Sequence, residues 1–234
     1  MGAEEGYTPL RADRYERKFL VEDLIPAQVE ALVRLHPRLF YAPYPPRYVN
    51  NLYLDTADME HYFDNVQGAA QRRKVRVRWY GALWGHIERP VLETKIRDGY
   101  VGSKRSYPLL GVDLAPGFGD AALQRLVAAA GLPPAVRCEL RCLRLVLLNR
   151  YYRRYYTSRD GHFRLTVDTE LVYYRANGAP RNRFVHHQAS PHQVIVELKY
   201  GVDWEPEAHR VAGYFPFRMT RSSKYMQGVE RVFF

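Results

Sequence analysis

The sequence predicts an α+β fold in which a β-sheet with one charged face packs its other, apolar face against helices. Two observations carry this prediction. At least five strand-like segments alternate charged with apolar residues at period two, as in "RRKVRVRWYG" at 72–81. Helical stretches lie between those segments and need an apolar surface to pack on. The pattern leaves open whether the charged face is the solvated side of an open sheet or lines a closed barrel.

The elements follow one another along 234 residues without a repeat or a long linker, so we expect a single domain, 1–234, with residues 1–12 as a flexible N-terminus. Strands are predicted near 13–21, 47–54, 71–80, 90–97, 100–107, 137–157, 162–169 and 193–200. Helices are predicted at 26–36, which begins with Pro26, at 58–66, at 120–130, which Gly131 ends, and in the tail "SSKYMQGVERVFF". Asp55 is expected to cap the second helix.

The charged faces of these strands are mostly cationic. In the 71–80 strand, Lys74, Arg76 and Arg78 share one face and Val75, Val77 and Trp79 the other. The remaining charged faces carry Arg14, Glu16 and Lys18; Glu93, Lys95 and Arg97; Arg164, Thr166 and Asp168; and Glu197 and Lys199. Same-face neighbours lie roughly 6.5–7 Å apart, a distance at which like charges repel. Either solvent screens these faces or an anion sits on them.

The bulk composition points to polyanionic partners. The chain has 35 Lys and Arg against 25 Asp and Glu, a net charge of +10 and a pI near 9.6. Cys138 and Cys142, the two cysteines, fall four residues apart in a predicted strand, so they are expected to be reduced thiols used in packing. No signal peptide or transmembrane run is visible, and we expect a cytoplasmic location.

Nine short motifs carry a resemblance to a known family. In order they are "RYERKF", "NNLYLDT", "KVRVRWYG", "LETK", "KRS", "YYRRYY", "FRLTVDTEL", "VELKYG" and "SSKY". Together they resemble the catalytic domain of the vacuolar transporter chaperone (VTC) family, the polyphosphate polymerase branch of the triphosphate tunnel metalloenzyme (CYTH-like) superfamily. The resemblance implies a closed antiparallel β-barrel, or tunnel, of about eight strands with helices packed outside. It therefore favours the closed barrel over the open sheet.

The resemblance also implies a set of site residues. The implied catalytic residues are Lys18, Arg76, Arg78, Lys95, Arg153 and Glu197, with Glu197 as ligand of a divalent metal, Mn²⁺ or Mg²⁺. The implied phosphate-binding residues are Glu16, Lys74, Glu93, Lys104, Tyr151, Arg164, Lys199, Ser223 and Lys224, the last two on a helix that closes one tunnel mouth. The implied reaction transfers the γ-phosphoryl group of ATP to phosphate, pyrophosphate or inorganic polyphosphate. Positioning and charge stabilisation dominate such transfers, so no side-chain nucleophile is needed.

Three alternatives remain at this stage. Triphosphatases of the same superfamily carry ExExK on the first strand, and here the first acidic position is Arg14, which favours the polymerase. The same cations also fit a non-catalytic polyphosphate or nucleotide sensor. A nucleic-acid binder would explain the net charge but not the paired Glu-x-Lys strands. Members of that family often work with a membrane-embedded partner that translocates the product, and the resemblance leaves open whether this chain works alone or with one.

Overall fold

A strongly curled antiparallel β-sheet forms the centre of the molecule. We describe it from a computed structural model covering residues 14–98, 101–176, 184–189, 192–220 and 223–234. The strands follow the order β1-β11-β9-β8-β2-β3-β5-β6, and β10 pairs with β9 beside this path. Every ladder in the sheet is antiparallel. The predicted α+β class, with an antiparallel sheet of about eight strands, is confirmed.

The strands and helices have the following bounds. The strands are β1 Arg14–Val21, β2 Arg47–Asp55, β3 Gln71–Tyr80, β4 Gly85–Ile87, β5 Val91–Asp98, β6 Val101–Pro108, β7 Val112–Leu114, β8 Arg144–Thr157, β9 Phe163–Ala176, β10 Phe184–Gln188 and β11 Val194–Gly201. The helices are α1 Pro26–Arg34, α2 Glu60–Gln67, α3 Asp120–Ala129, α4 Pro134–Arg141, α5 Glu205–Gly213 and α6 Lys224–Phe233. β4 and β7 pair with each other in a separate ribbon.

The convex face of the sheet carries two apolar cores under the outer helices. One core joins α3, α4 and the β4–β7 ribbon to the outward side chains of β2, β3, β5 and β8, including Val75, Val77 and Trp79. The other joins α1 and α5 to the outward side chains of β1, β9 and β11, including Phe19 and Val196. The apolar members of the alternating strands are thus the ones that the helices cover, as the period-two pattern predicts.

The C-terminal helix α6 instead lies against the concave face and fills one end of the space that the curled sheet surrounds, the tunnel. Its buried side chains Tyr225, Val229 and Val232 pack with inward side chains of β2, β8, β9 and β11. Gly228 makes this approach possible, because a Cβ there would collide with Leu147 and lie 2.7 Å from Cδ1 of Tyr173. The apolar side chains of α6 therefore fill one end of the tunnel as a plug, and the cationic side chains of the strands line the rest.

The carboxylate of Asp55 ties α2 and α6 to the end of β2. Oδ1 accepts hydrogen bonds from the backbone N–H of Thr56 at 2.7 Å and of His61 at 2.9 Å. Oδ2 accepts from the N–H of Tyr62 at 3.0 Å and from the Tyr225 hydroxyl. The predicted helix-capping role of Asp55 is confirmed, although this residue lies outside the helix and reaches two donors of its first turn.

The two edge strands of the curled sheet are β1 and β6. No ladder joins them among the residues that the structure describes. β1 nevertheless faces β5, the neighbour of β6, across the interior, since Lys95 of β5 helps to lower the pKa of Glu16 of β1. The concave surface thus wraps around one common space, the tunnel.

Several element predictions need correction. The predicted strand 137–157 begins only at Arg144, because residues 134–141 form α4. Cys138 and Cys142 therefore lie on and just after a helix, and both are exposed rather than used in packing. The helix α5 and the strands β4, β7 and β10 were not predicted. The expected flexible stretch 1–12 lies outside the described residues.

The strand β9 continues for seven residues beyond its predicted end at 169. The prediction stopped there because a bulge interrupts the alternation of apolar and charged residues. Glu170 takes the left-handed conformation with φ of 52°. Before it, Leu165 and Val167 face the convex core; after it, Leu171 and Tyr173 face the tunnel. A bulge shifts the side-chain phase by one residue, so the two halves do not read as one alternating strand.

Candidate functional site

The candidate site lies on the concave face, in the part of the tunnel that α6 leaves open. Seven strands and the first residues of the tail supply it. β1, β3 and β5 contribute Glu16, Lys18, Lys74, Arg76, Arg78, Glu93 and Lys95; β6, β8, β9 and β11 contribute Lys104, Tyr151, Arg153, Arg164, Glu197 and Lys199; and Ser223 and Lys224 stand at the start of α6. These are the residues singled out in the sequence.

Glu197 is the centre of the first cluster. Four cationic groups lie around this buried carboxylate: Lys224 Nζ at 3.1 Å and Lys18 Nζ at 3.7 Å from Oε1, and Arg153 Nη2 at 3.5 Å and Lys199 Nζ at 3.6 Å from Oε2. Burial alone would raise the pKa of Glu197, but Lys224, Lys18 and Arg153 outweigh it and hold that pKa well below its usual range. Glu197 is therefore ionised and already compensated.

A second carboxylate, Glu16, shares two of these cations. Lys18 Nζ lies 2.9 Å from Oε1 of Glu16, and Lys199 Nζ lies 3.7 Å from its Oε2. The register of the β1–β11 pair explains this arrangement, because Glu16 is opposite Lys199 and Lys18 is opposite Glu197. Two lysines thus bridge two carboxylates on neighbouring strands.

Asp168 anchors the deepest cations, and no site role was predicted for it. Its carboxylate is fully buried and accepts hydrogen bonds at 2.6 Å from both Nε and Nη2 of Arg153, and Lys224 Nζ lies 2.6 Å from Oδ2. Lys224 is the first residue of α6, where a cation is disfavoured by the helix dipole, so Asp168 and Glu197 offset that cost. The sequence signal for Asp168 was its place on the charged face with Arg164 and Thr166.

Tyr151 lies beneath these cations. The Arg153 guanidinium is 5.1 Å and the Lys224 ammonium 4.9 Å from the ring centroid of Tyr151. Burial would raise the pKa of the Tyr151 hydroxyl, but Arg153, Arg78 and Lys224 outweigh it and lower that pKa. The ring of Tyr151 therefore makes cation–π contacts with two of the predicted site cations.

Glu93 is the centre of a second cluster. Arg76 binds its Oε2 through Nε at 2.8 Å and Nη2 at 2.6 Å, Arg78 Nη1 lies 3.6 Å away, and Lys104 donates to Oε1. Burial opposes ionisation of this carboxylate, yet Arg76, Arg78 and Lys104 lower the pKa of Glu93 to about 2. Glu93 therefore orients three cations rather than acting as a proton donor.

Asn51 was not predicted as a site residue, but it fixes the position of Arg78. Its Oδ1 accepts a hydrogen bond from Arg78 Nε at 2.8 Å, and its amide donates to Oδ1 of Asn149 at 2.8 Å. Both asparagines are buried on the concave face. Asn51 stands in the "NNLYLDT" motif, but a single strand gives no sign of which neighbouring side chain it will meet.

A row of lysines crosses the sheet between the two clusters. Lys74 is directly opposite Lys95, and Lys95 is directly opposite Lys104, in adjacent antiparallel pairs. Lys74 Nζ donates to the Ser223 hydroxyl at 3.0 Å. Burial, followed by the fields of Lys18, Lys95, Arg76 and Arg72, lowers the pKa of Lys74 to about 7. Like charges placed opposite each other destabilise a sheet, so this row stores repulsion that a bound anion would relieve.

Arg164 stands apart from both clusters. Its Cα pairs with Thr157 and Lys199 at the open end of the tunnel, and its side chain is exposed. Among the residues described, no ion pair to Arg164 is formed. The geometry thus brings together all the predicted site residues except Arg164, which lies at the mouth.

The site can supply only part of a metal's coordination shell. Mn²⁺ and Mg²⁺ favour carboxylate and phosphate oxygens, and Glu197 and Glu16 offer carboxylates close together. No group of three or more His, Cys, Asp or Glu side chains that could hold a metal occurs in the part of the chain that the structure describes. The donor set therefore fits a metal that brings phosphate oxygens with it.

The fold and the site together define a curled β-tunnel with a cationic interior, closed at one end by a helix. The chain belongs to the VTC domain family, whose model matches residues 13–233. No curated protein matches the chain. Among the described helices, none is long and apolar enough to cross a membrane.

Three solved structures of low sequence identity are similar to the chain. A candidate adenylate cyclase from Vibrio parahaemolyticus is 12% identical, with 92% of this chain and 97% of that chain covered and a TM-score of 0.49. A protein from Pyrococcus horikoshii is 14% identical, with coverage of 93% and 98% and a TM-score of 0.47. A candidate adenylyl cyclase from Hippeastrum with a dominant triphosphatase activity is 16% identical, with coverage of 90% and 93% and a TM-score of 0.48. The family assignment rests on the VTC domain match.

Proposed function

We propose that this protein is a polyphosphate polymerase. It transfers the γ-phosphoryl group of ATP to phosphate, pyrophosphate or the end of an inorganic polyphosphate chain. The bond between the γ-phosphorus and the β–γ bridging oxygen breaks, a terminal oxygen of the acceptor forms the new bond, and ADP leaves. A cytoplasmic location stays a prediction from the sequence, and a membrane-embedded partner that receives the product stays one from the family resemblance.

The observation that carries the proposal is the uncompensated pair Lys74 and Lys95 in the lysine row. Lys74 and Lys95 face each other, and neither forms an ion pair with a carboxylate of the described residues. The arginines and lysines around Glu93 and Glu197, Lys104 among them, already pair with carboxylates, but Lys74 and Lys95 do not. A polyanion with about one negative charge per phosphate would neutralise several cations at once. Such a ligand fits the site better than a single phosphate does.

The residues would divide the work by position. Arg76, Arg78 and Lys104, held by Glu93, would bind and orient phosphates of the nucleotide. Lys18, Lys74 and Lys95 would hold the charge of the transferring group. A divalent metal, Mn²⁺ or Mg²⁺, would polarise phosphate oxygens near Glu197 when it is bound. The contribution of the chain is thus orientation and charge stabilisation, which dominate phosphoryl transfer.

The state of the carboxylates supports a polymerase over a triphosphatase. Metal-activated hydrolysis needs carboxylates that hold the metals that activate water. The first acidic position of the ExExK pattern is Arg14, so β1 offers one carboxylate, Glu16, where that pattern has two, and Glu16 already pairs with Lys18 and Lys199. These features weaken water activation and strengthen the binding of a long anion.

The test is to incubate purified protein with ATP and Mn²⁺ and to resolve the products on a gel. We expect polyphosphate. Release of free phosphate alone would assign the site to a triphosphatase, and binding without turnover would assign it to a sensor.

Glu197→Gln sharpens this test, because it keeps the shape of the side chain and removes its charge. We expect metal-dependent turnover to be lost while polyphosphate binds as well or more tightly. The matched control is Glu205→Gln, which removes a carboxylate that pairs with Arg17 on the convex side. Wild-type turnover by Glu197→Gln would contradict the metal assignment.

A further inference from the structure

An aromatic and arginine cluster lies at the open mouth of the tunnel, outside the phosphate-binding clusters. It consists of Tyr44, Arg47, Tyr80 and Tyr155 and is called the mouth cluster below. The Arg47 guanidinium is 3.7 Å from the ring centroid of Tyr80 and 5.3 Å from that of Tyr155. Arg47 Nε also donates to the Tyr155 hydroxyl at 3.1 Å, and the Tyr44 ring meets the Tyr155 ring edge to face at 6.2 Å.

The mouth cluster continues the concave face beyond the predicted phosphate contacts. Arg47 is directly opposite Arg153 in the β2–β8 pair, and Tyr80 follows Arg78 by two residues on β3. Two residues along a strand span about 6.5–7 Å, and both point to the same face. A ligand held by Arg78 and Arg153 through phosphates would thus reach the cluster with the group attached to its phosphate end.

The exposed surface of the cluster suits a flat ligand. Tyr80 is 46% exposed and Tyr44 is 67% exposed, so ring area is open to solvent. Arg47 is also exposed, and no carboxylate of the described residues forms an ion pair with it. Planar guanidinium and phenol groups stack well on a π-system, and they need no particular hydrogen-bonding edge from it.

We infer that the mouth cluster is a nucleobase subsite that holds the base of the nucleoside triphosphate whose phosphates occupy the tunnel. This inference rests on the proposed function, because it needs a nucleotide phosphate tail at Arg78 and Arg153. Arg47 lies over one face of the Tyr80 ring, and the base stacks on the other, exposed face. Inorganic polyphosphate has no flat face and gains nothing from these rings, so the cluster separates nucleotide from product.

The test compares ATP with tripolyphosphate, which offers the same phosphates without a base. Titration calorimetry in EDTA prevents metal-dependent turnover during the measurement. We expect Tyr80→Ala to weaken ATP binding by about 5- to 150-fold, as for loss of one stacking partner. Binding of tripolyphosphate should stay within about twofold of the wild-type value.

Two controls accompany this comparison. Tyr80→Phe keeps the ring and should keep wild-type affinity for ATP. Tyr214→Ala removes a tyrosine of similar exposure, 63%, at the end of α5 and should change the affinity for neither ligand.

The outcomes separate the two proposals. Equal weakening of ATP and tripolyphosphate by Tyr80→Ala would make the cluster part of the phosphate site and overturn the nucleobase subsite. Unchanged ATP binding would overturn it as well. Failure of wild-type protein to bind tripolyphosphate at all would overturn the proposed function, and the subsite with it.

Discussion

At the scale of single residues, Lys74 couples ligand binding to pH. Its pKa is lowered to about 7 by burial and by neighbouring cations, so the side chain is largely neutral at pH 8 without ligand. A bound polyanion favours the charged form and raises that pKa. We therefore expect tripolyphosphate binding at pH 8 to take up protons, and affinity to fall as pH rises above 7. Calorimetry in buffers of different ionisation enthalpy measures the uptake.

Lys74→Arg is the matched control, because it keeps a cation that does not titrate in this range. Most of the proton uptake should disappear in this variant while binding persists. The stability of the unliganded protein follows from the same shift: the unfolded chain holds a proton on Lys74 up to about pH 10.5 and the folded chain only up to about 7. The Lys74 contribution to stability therefore rises with pH between these values. Equal proton uptake by both proteins would assign the linkage to another group.

At the scale of elements, the two faces of β3 should respond differently to substitution. Trp79 is 2% exposed in the convex core and donates its indole N–H to the carbonyl of Ala82 at 2.9 Å. Trp79→Ala should lower the free energy of unfolding by about 3–5 kcal/mol. Arg78→Ala should instead weaken tripolyphosphate binding by about 1.5–3 kcal/mol. Urea unfolding and calorimetry on both variants check this.

The Arg78→Ala variant should lose less stability than Trp79→Ala, because most contacts of the partners of Arg78 remain. Glu93 keeps Arg76 and Lys104, and the Asn51 amide keeps Asn149, while Oδ1 of Asn51 loses its donor, a cost of about 1–3 kcal/mol. An Arg78→Ala protein that unfolds as readily as Trp79→Ala would show that the two faces of β3 are not separated as the structure has them.

The alternation of charged and apolar residues identified the strands that have one face in an apolar core and the other in the cationic tunnel. It failed where a segment does not keep this alternation. Most of the helix α4 was predicted as strand, because no Gly or Pro in "AVRCELRCLRLVLLNR" marks the boundary between α4 and β8. The end of β9 was missed because the bulge at Glu170 reverses its phase. Period alone cannot separate a short buried helix from a strand.

For the candidate site, the sequence predicted which side chains share a face but not which of them meet. Arg76 and Glu93 stand on separate strands 17 residues apart, and only the β3–β5 register brings them opposite each other. Asp168 was placed on the charged face, yet its contact with Lys224 depends on how α6 enters the tunnel. Contacts between strands and the plug are set by packing of the whole sheet.

At the scale of the whole molecule, the repulsion among the tunnel cations should make the fold more stable when an anion binds. Tripolyphosphate at a hundredfold excess over its Kd should add about 2.7 kcal/mol to the free energy of unfolding. Thermal unfolding with and without the ligand measures this, with sodium chloride at equal ionic strength as the control. A shift no larger than the chloride shift would contradict an internal cationic face.

The pairing of β1 with β11 has a consequence for how the chain folds. Arg14 is opposite Gly201 and Val21 is opposite Val194, so this ladder closes a loop of most of the chain. Contacts of such long sequence separation form slowly, because the entropy of loop closure must be lost before they stabilise anything. During synthesis, β1 leaves the ribosome long before its partner exists, and the apolar side chains of β1 stay uncovered until β11 has been made.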